Sequence, residues 1–475
     1  MTSEPTIAAP ATAVALRPDS IGVAGMVFMI VAATAPLTAL ATNIAVSLGH
    51  GVGVGTVGLF VAVAAVLAVF AAGYLLLARY VRSAGGQAAF VSFGLGRPAG
   101  TATAFIATVA YNAAAAGMSA AAGFYASLAV EQYLGARVPW YVFTVVTLAL
   151  LALLGMRGLR TAERVTIVSS LLQFVFVAAL AVAVAVQRPE GWQLTPLRPD
   201  QAFTGNLALS LVFILLSFGG FETSTIYSEE ARGGQRGIAI ATYVSLALLA
   251  AVFVISTWTL VAAHPDITGV AAADPGAIVS ATGSAYLGEW AGGVILLLIT
   301  VSFFGAAIAF HNMAARYQFA LARARLLPRV LTRTHGEHAS PYVSSLVQVA
   351  ISVLLLAPFV TLRADVFTTL FPAISGITAL SLVTMMVAAS VSVVVARARG
   401  RIAGGWFASR AAPAVSALVL GAIGLLIVLN YSAVTGSDAA VFAVMPLIPA
   451  AAAVYGAVRQ SRRPGSPGVE GYLES

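Results

Sequence analysis

The chain has 475 residues, 60% of them hydrophobic and only 9% charged, which excludes an ordinary soluble globular domain and points to a polytopic membrane protein. The formal net charge of +8 rests on 25 basic residues, all of them arginine; they gather at the ends of apolar stretches and not in a patch interleaved with aromatics, which argues for membrane orientation and against nucleic-acid binding. No cysteine is present, so disulfide and thiol chemistry are excluded.

Residues 1–20 are polar, rich in Ala and Pro, and carry only Arg17; they lack the charged head of a signal peptide and read as a cytoplasmic tail. Roughly twelve apolar spans follow, near 21–48, 54–79, 99–130, 139–155, 164–186, 205–231, 236–263, 288–323, 342–361, 365–396, 411–431 and 439–458, each near the length a bilayer requires. If the N-terminus is cytoplasmic, every arginine except Arg137, Arg188, Arg198 and Arg363 falls on the cytoplasmic side. That is the positive-inside signal, and with an even number of crossings it puts both termini in the cytoplasm. Residues 461–475, rich in Gly, Pro, Ser and charge, read as a disordered tail.

The first and sixth spans differ from the rest. The first is interrupted by Ala33-Thr34-Ala35-Pro36-Leu37-Thr38 and the sixth by Ser217-Phe218-Gly219-Gly220-Phe221-Glu222. Unwound backbone persists in hydrocarbon only where it lines a cavity or a ligand, and a matched pair of broken spans, one per half, marks a secondary transporter's site. Four unbroken spans follow each broken one. A five-span unit occurring twice must be inverted, because five is odd. The expected division is therefore a first repeat over 21–203, an inverted second repeat over 204–396, and two peripheral helices over 397–460.

Within the first break, Pro36 suits the start of a second half-helix, since it gives up an N–H that has no helical partner. Thr34 is a candidate cap, and the N–H groups of Leu37 and Thr38 are candidates to receive a carboxylate. Carbonyls near Val31, Ala32, Ser217 and Phe218 are candidates to receive an ammonium. Phe218 stands beside the second break as either a gate or plain core, and Phe221, with Gly219 and Gly220, is a substrate-site candidate of the same break whose commoner role is packing. Ala110, Ala114 and Gly117 form a small-residue stripe on the third span; close helix packing is the usual reason, and a cavity wall with Ala114 and Gly117 in the substrate site is the alternative. Glu222 is the one acidic residue expected near mid-membrane, where a carboxylate must be paired, protonated or functional. Ser169, Ser170 and Gln173 on the fifth span, with His311, Asn312 and Arg316 on the eighth, are expected to form inter-helix hydrogen bonds or a cation site.

Other stretches carry less chemistry. Gly51-Val52-Gly53-Val54-Gly55 follows no strand and reads as a helix–helix turn. Residues 83–90 form an amphipathic segment suited to the inner interface, and 264–287 an outer connection with room for short helices. His335, Glu337 and His338 read as a solvated loop, so no metal is assigned. No Walker loop, hydrolase elbow or paired carboxylates beside a nucleophile occur; an enzyme and a cofactor are not expected.

Several phrases resemble the amino acid–polyamine–organocation (APC) superfamily of permeases. Ser217-Phe218-Gly219-Gly220-Phe221-Glu222 followed by Ser228-Glu229-Glu230-Ala231-Arg232 is similar to that family's sixth-helix phrase. Ala84-Gly85-Gly86 with Phe90-Val91 and Leu95-Gly96 resembles the segment before its third helix. Asn312, Arg316, Arg323, Leu326-Leu327-Pro328 and Ser340-Pro341 resemble the end of its eighth helix and the loop beyond. The resemblance implies an all-α fold of about twelve transmembrane helices, a five-plus-five inverted repeat with helices 1 and 6 broken, as in leucine-transporter-type folds. It implies transport of amino acids or amines, and gives Phe310 as a second gate candidate. Two departures stand out: the first break lacks the family's glycine-rich G-x-G, and Gln173 stands where some members carry a lysine in place of a sodium ion.

The expected function is a plasma-membrane permease moving an amino acid by alternating access, proton-coupled or by exchange, with Glu222, Gln173 and Asn312 as coupling candidates. Its partners are a small-molecule substrate, protons and the lipid bilayer; oligomeric state is not legible. A polyamine carrier of the same fold is one alternative, although a cation would need more acidic groups than Glu222 alone. A non-transporting nutrient sensor or membrane-complex subunit is the other.

Overall fold

The computed structural model describes residues 22–33, 36–81, 86–157, 160–221, 233–334, 340–436 and 440–463. Among these residues every regular element is helical. The first span is α1 (Val23–Ala33) and then α2 (Pro36–Ala39), a π turn (Leu40–Ile44) and α3 (Ala45–His50); a 3₁₀ turn (Gly53–Gly55) leads into α4 (Thr56–Ala78). Next come α5 (Gly86–Leu95), α6 (Arg97–Leu134), α7 (Trp140–Arg157) and α8 (Arg160–Gln187), then α9 (Leu207–Ser217) and α10 (Gly234–Ala263). The outer connection holds two short helices, α11 (Ile267–Ala273) and α12 (Ile278–Leu287). The remainder is α13 (Glu289–Arg323), α14 (Tyr342–Thr361), α15 (Phe371–Ala398), α16 (Ala412–Leu429), α17 (Tyr431–Thr435), α18 (Ala440–Ala443) and α19 (Leu447–Ser461).

Eight helical stretches among the described residues are long and apolar enough to cross a membrane. They correspond to spans two, three, five and seven to eleven of the sequence. The other four fall short: α1 is described only as far as Ala33, α9 stops at Ser217, α7 is short, and the last span is cut by a turn over 444–446 between α18 and α19. Proline explains that last interruption, since Pro446 cannot donate to the preceding turn and serves as the N-cap of α19.

Loop contacts fall into two sets, as expected of helices that cross and recross one slab. At one end, the Asn206 N–H donates to the Gly51 carbonyl at 3.0 Å, the Asn206 amide reaches Ala433 O, and Gln187 reaches Tyr286 O. At the other end, Gln235 donates to Ala78 O, the Tyr80 hydroxyl donates to Ala403 O, and Arg399 and Arg401 donate to Gly94 O and Phe93 O. Arginines crowd the second rim. On the first rim, Arg137, Arg188 and Arg198 are matched by Glu131, Glu190 and Asp200 at 2.7, 3.0 and 3.1 Å. These exposed pairs add little stability, but they neutralise three of that rim's arginines.

Small residues set the helix spacing. A Cβ added at Gly123 of α6 would lie 2.2 Å from Thr144 Oγ1 and 2.7 Å from Trp140 O on α7, and one added at Gly94 of α5 would lie 2.5 Å from Ser392 O on α15. Lipid tails are as apolar as leucine, so close backbone approach and dispersion replace the hydrophobic effect as the cohesive term. One main cluster gathers side chains from α1 through α18, with smaller clusters beside it. Gly123→Leu should therefore lower the thermal stability of the purified protein by at least the ~1–3 kcal/mol of an overpacked core. Gly421→Ala, on α16 where an added Cβ meets nothing within 4 Å, should leave melting unchanged or slightly raised; equal melting points for the two variants would contradict the packing argument.

Candidate functional site

The two broken spans lie against each other and run antiparallel. Asn43 Nδ2 donates to Ser217 Oγ at 2.9 Å, Ser47 Oγ donates to Ser210 Oγ at 2.7 Å, and the Asn206 N–H donates to Gly51 O at 3.0 Å. Residue numbers rise from 43 to 51 along one strand of contacts and fall from 217 to 206 along the other. Ser210 Oγ also accepts the Val52 N–H at 3.0 Å. All four serine and asparagine groups sit inside otherwise apolar helices, where side-chain hydrogen bonds between helices contribute about 0.6 kcal/mol on average.

In the first break, Ala33 closes α1 and Pro36, Leu37 and Thr38 belong to α2; Thr34 and Ala35 between them lie outside the described residues. In the second, Ser217 closes α9, Phe218, Gly219 and Gly220 form a turn, and Phe221 follows; Glu222 lies outside the described residues. Gly220 has φ +101°, a backbone that residues with a Cβ rarely adopt, which is why glycine stands there.

At the start of α2 the Leu37 N–H donates to Gln173 Oε1 of α8 at 3.3 Å, and Gln173 Nε2 donates to Ser169 Oγ at 3.2 Å. Leu37 therefore does not offer a bare N–H: a fully buried neutral amide from the fifth span caps it. Six residues separate Leu37 from Asn43, about 9 Å along the helix, so the cap and the Asn43–Ser217 contact belong to one region. Ser170, beside Ser169, is buried with its hydroxyl unpartnered.

Immediately beyond, Leu40–Ile44 winds as a π turn. Such a turn leaves carbonyls out of the regular ladder and recurs at functional sites. Here Tyr125 of α6 donates its hydroxyl to Ala41 O at 2.7 Å, and Thr42 Oγ1 donates to Thr38 O at 2.9 Å. Sequence reasoning missed Asn43, Ser47, Ser210, Tyr125 and the π turn. The available signal was the polar triplet Thr38, Thr42 and Asn43 within an apolar span.

Other sequence candidates are placed elsewhere. Phe218 is fully buried, 6.0 Å from Phe60 of α4 and 5.5 Å, edge-on, from Phe253 of α10; Phe221 meets Phe70 of α4 at 6.1 Å. Three residues apart, both rings are buried and packed on aromatic neighbours of α4 and α10. Gly117 faces α15, where an added Cβ would lie 3.0 Å from Ile374 Cγ2. At that position the small-residue stripe lies close to α15. Ala110 and Ala114 are buried as well.

Phe310 is half-buried and stacks on Tyr111 of α6 at 6.2 Å, with Tyr317 5.4 Å from Tyr111. One residue on, His311 turns away from α8. Its Nδ1 meets Gln348 Oε1 and its Nε2 meets Ser345 Oγ at 2.8 Å, both on α14, and Gln348 Nε2 donates to Ser352 Oγ at 2.8 Å. The eighth-span and fifth-span polar groups thus form two separate networks, one on α14 and one on α2. Asn312 is half-buried. Gln318, two turns on, donates to Asn112 Oδ1 of α6 at 3.2 Å, a second inter-helix bond that the sequence did not signal.

Among the described residues no group of three or more His, Asp or Glu side chains could hold a metal ion. The loop with His335, Glu337 and His338 lies outside them. The chemistry gathered at the breaks is that of helix termini, amides and hydroxyls. A helix start held in register by a neutral side chain, beside the turn that ends an antiparallel helix, suits binding and release of a small polar molecule.

Comparison with protein families agrees with that chemistry. The family model described as amino acid permease matches residues 21–459, nearly the whole chain and both broken spans. This multi-pass membrane protein belongs to the APC superfamily of amino acid permeases.

Proposed function

We propose that the protein is a secondary permease that carries an amino acid across the plasma membrane by alternating access, coupled to protons or running as an exchanger. The observation that carries this reading is the antiparallel pairing of the two broken spans through Asn43–Ser217 and Ser47–Ser210, which sets the end of α9 against the π turn that continues α2, about 9 Å along the helix from the Leu37 N–H. A zwitterion matches the two poles so juxtaposed: N–H groups at a helix start favour a carboxylate, and carbonyls at a helix end favour an ammonium. The substrate site is then built on residues 33–38 and 217–221, with Ala114 and Gly117 on its α6 side.

In this reading the chain has twelve crossings, with inverted five-helix repeats over 21–203 and 204–396 and peripheral helices over 397–460. Antiparallel first helices are what two inverted units require. The arginine-rich rim is cytoplasmic, with the tails 1–20 and 461–475 on that side. Phe310, stacked on Tyr111, is the better placed of the two aromatic gate candidates. Asn312 stays a coupling candidate one residue from the His311 network.

Three outcomes test the assignment. Gly219, whose added Cβ would stand 3.1 Å from Leu216 O and 4.0 Å from Leu382, has room for a small side chain only. Gly219→Leu should abolish the rise in melting temperature that amino acids give the wild type, while the ligand-free variant melts within a few degrees of it. A ligand-induced rise that survives the substitution contradicts the placement.

The second outcome concerns the coupling ion. Gln173 directs its oxygen at the Leu37 N–H and its nitrogen at Ser169, so this amide holds the helix start in place of facing a cation. Uptake into proteoliposomes should be the same in sodium and in choline; a dependence on the sodium gradient would reverse this reading.

The third concerns Glu222. As the proton carrier it must load on one side and release on the other, so accumulation should follow an imposed pH gradient. Glu222→Gln should still bind substrate and exchange it, but lose pH-driven accumulation. Wild-type pH dependence in the variant would make Glu222 a structural clamp.

A further inference from the structure

The last helix presents an apolar face that ends in arginines, and nothing in the transport reading uses it. α19 packs on α6 through one side. Gly456 lies where an added Cβ would meet Phe105, Ala102 and Thr101, Tyr455 meets the Phe105 ring edge-on at 5.3 Å, and Thr101 donates to Gln460 at 3.1 Å. At about 100° per residue, Leu447, Val454 and Val458 fall on the opposite side. Leu447 and Val454 are each 64% exposed. Along this face lies an open, shallow concavity of about 680 Å³ lined only by residues of α19 and its C-cap, Leu447, Ala450, Val454, Val458, Arg459 and Arg462 among them.

The length of this apolar face matches half a bilayer. From Leu447 to Val458 the helix rises about 16 Å, close to one leaflet's share of the ~30 Å hydrocarbon layer. The polar end begins one residue later. Arg459 is half-buried, and its Nε is enclosed with no hydrogen-bond partner; Arg462 is exposed beside it. Arg463 is held apart from the concavity by donating to Arg325 O, which fixes this end of α19 against the chain leaving α13. An enclosed guanidinium N–H needs an acceptor. A phosphate oxygen supplies one with a charge to match.

From this we infer that α19 carries a binding site for an anionic phospholipid of the arginine-rich leaflet, one acyl chain lying along Leu447, Val454 and Val458 and the phosphate meeting Arg459 and Arg462. Both halves of the occupant are specified. The apolar length selects a lipid over a free anion, and the paired arginines select an anionic headgroup over a zwitterionic one. The site lies on a helix peripheral to the broken spans, so its failure and the failure of the transport reading are separable.

The test uses the full chain in detergent micelles, titrated with phosphatidylglycerol, with phosphatidylcholine of the same acyl chains, or with inorganic phosphate, read by native mass spectrometry and by melting temperature. Phosphatidylglycerol should bind in preference and raise the melting temperature; phosphate alone should not. Arg459→Gln and Arg462→Gln should each weaken phosphatidylglycerol binding roughly fivefold while leaving amino acid binding unchanged. Val454→Trp, which fills the concavity without touching the arginines, should weaken it as well. The chain has no cysteine, so Val454→Cys reports directly on a second copy seated at this face. Equal binding of the two lipids, protection by phosphate alone, undiminished phosphatidylglycerol binding in both arginine variants, or a disulfide-linked dimer through Val454→Cys would each overturn the inference.

Discussion

Everything in this structure turns on the rule that backbone N–H and C=O groups inside hydrocarbon must find partners within the protein. Two spans violate the simplest solution, an unbroken helix, and the surrounding helices supply what the breaks leave open. Gln173 reaches from α8 to the Leu37 N–H, Tyr125 reaches from α6 to the Ala41 carbonyl, and Ser210 receives the Val52 N–H. Each donor or acceptor is a neutral side chain. The cost of charge in the membrane is thereby kept away from the described part of the site.

The same rule explains how the polar residues are distributed. They form small clusters, each joining two or three helices: Asn43 with Ser217, Ser47 with Ser210, Asn112 with Gln318, and His311 with Ser345 and Gln348. Between the clusters the contact surfaces are apolar, made of aliphatic side chains, aromatic rings and small residues that form no hydrogen bonds of their own. A carrier that alternates between two openings needs joints of both kinds. In the proposed mechanism the bonded pair α3–α9 would move as one piece, and surfaces of small residues such as Gly123 on α7 would set how near the other helices can come.

Much of the fold was legible in the sequence because long apolar runs and arginine at their ends are direct consequences of bilayer thickness and charge cost. The breaks were legible too, since Pro36 and the Gly219-Gly220 pair are backbone signals that act locally. The helical geometry of Pro36–Thr38 was not, because the cap on the Leu37 N–H comes from Gln173 of α8, a tertiary contact with no local mark. The directions of Phe218, Phe221 and Gly117 were equally hidden, because a ring or a gap on a helix in lipid has no polar face to orient it. His311 and Gln173 carry no sequence mark that they serve different partners; that division follows from α13 packing on α14 and α8 packing on α2. The π turn at Leu40–Ile44 has no composition signature, and only the unusual concentration of Thr38, Thr42 and Asn43 hinted at it.

The central claim is that the two breaks share one ligand, and the absence of cysteine from the chain makes it directly measurable. Thr38→Cys and Gly219→Cys, made separately, each place a single thiol at one break. The rate of alkylation of each is followed as an amino acid is added. One shared site predicts that the same amino acid protects both thiols with the same half-saturating concentration. Protection of one thiol without the other, or at concentrations differing by an order of magnitude, would contradict it.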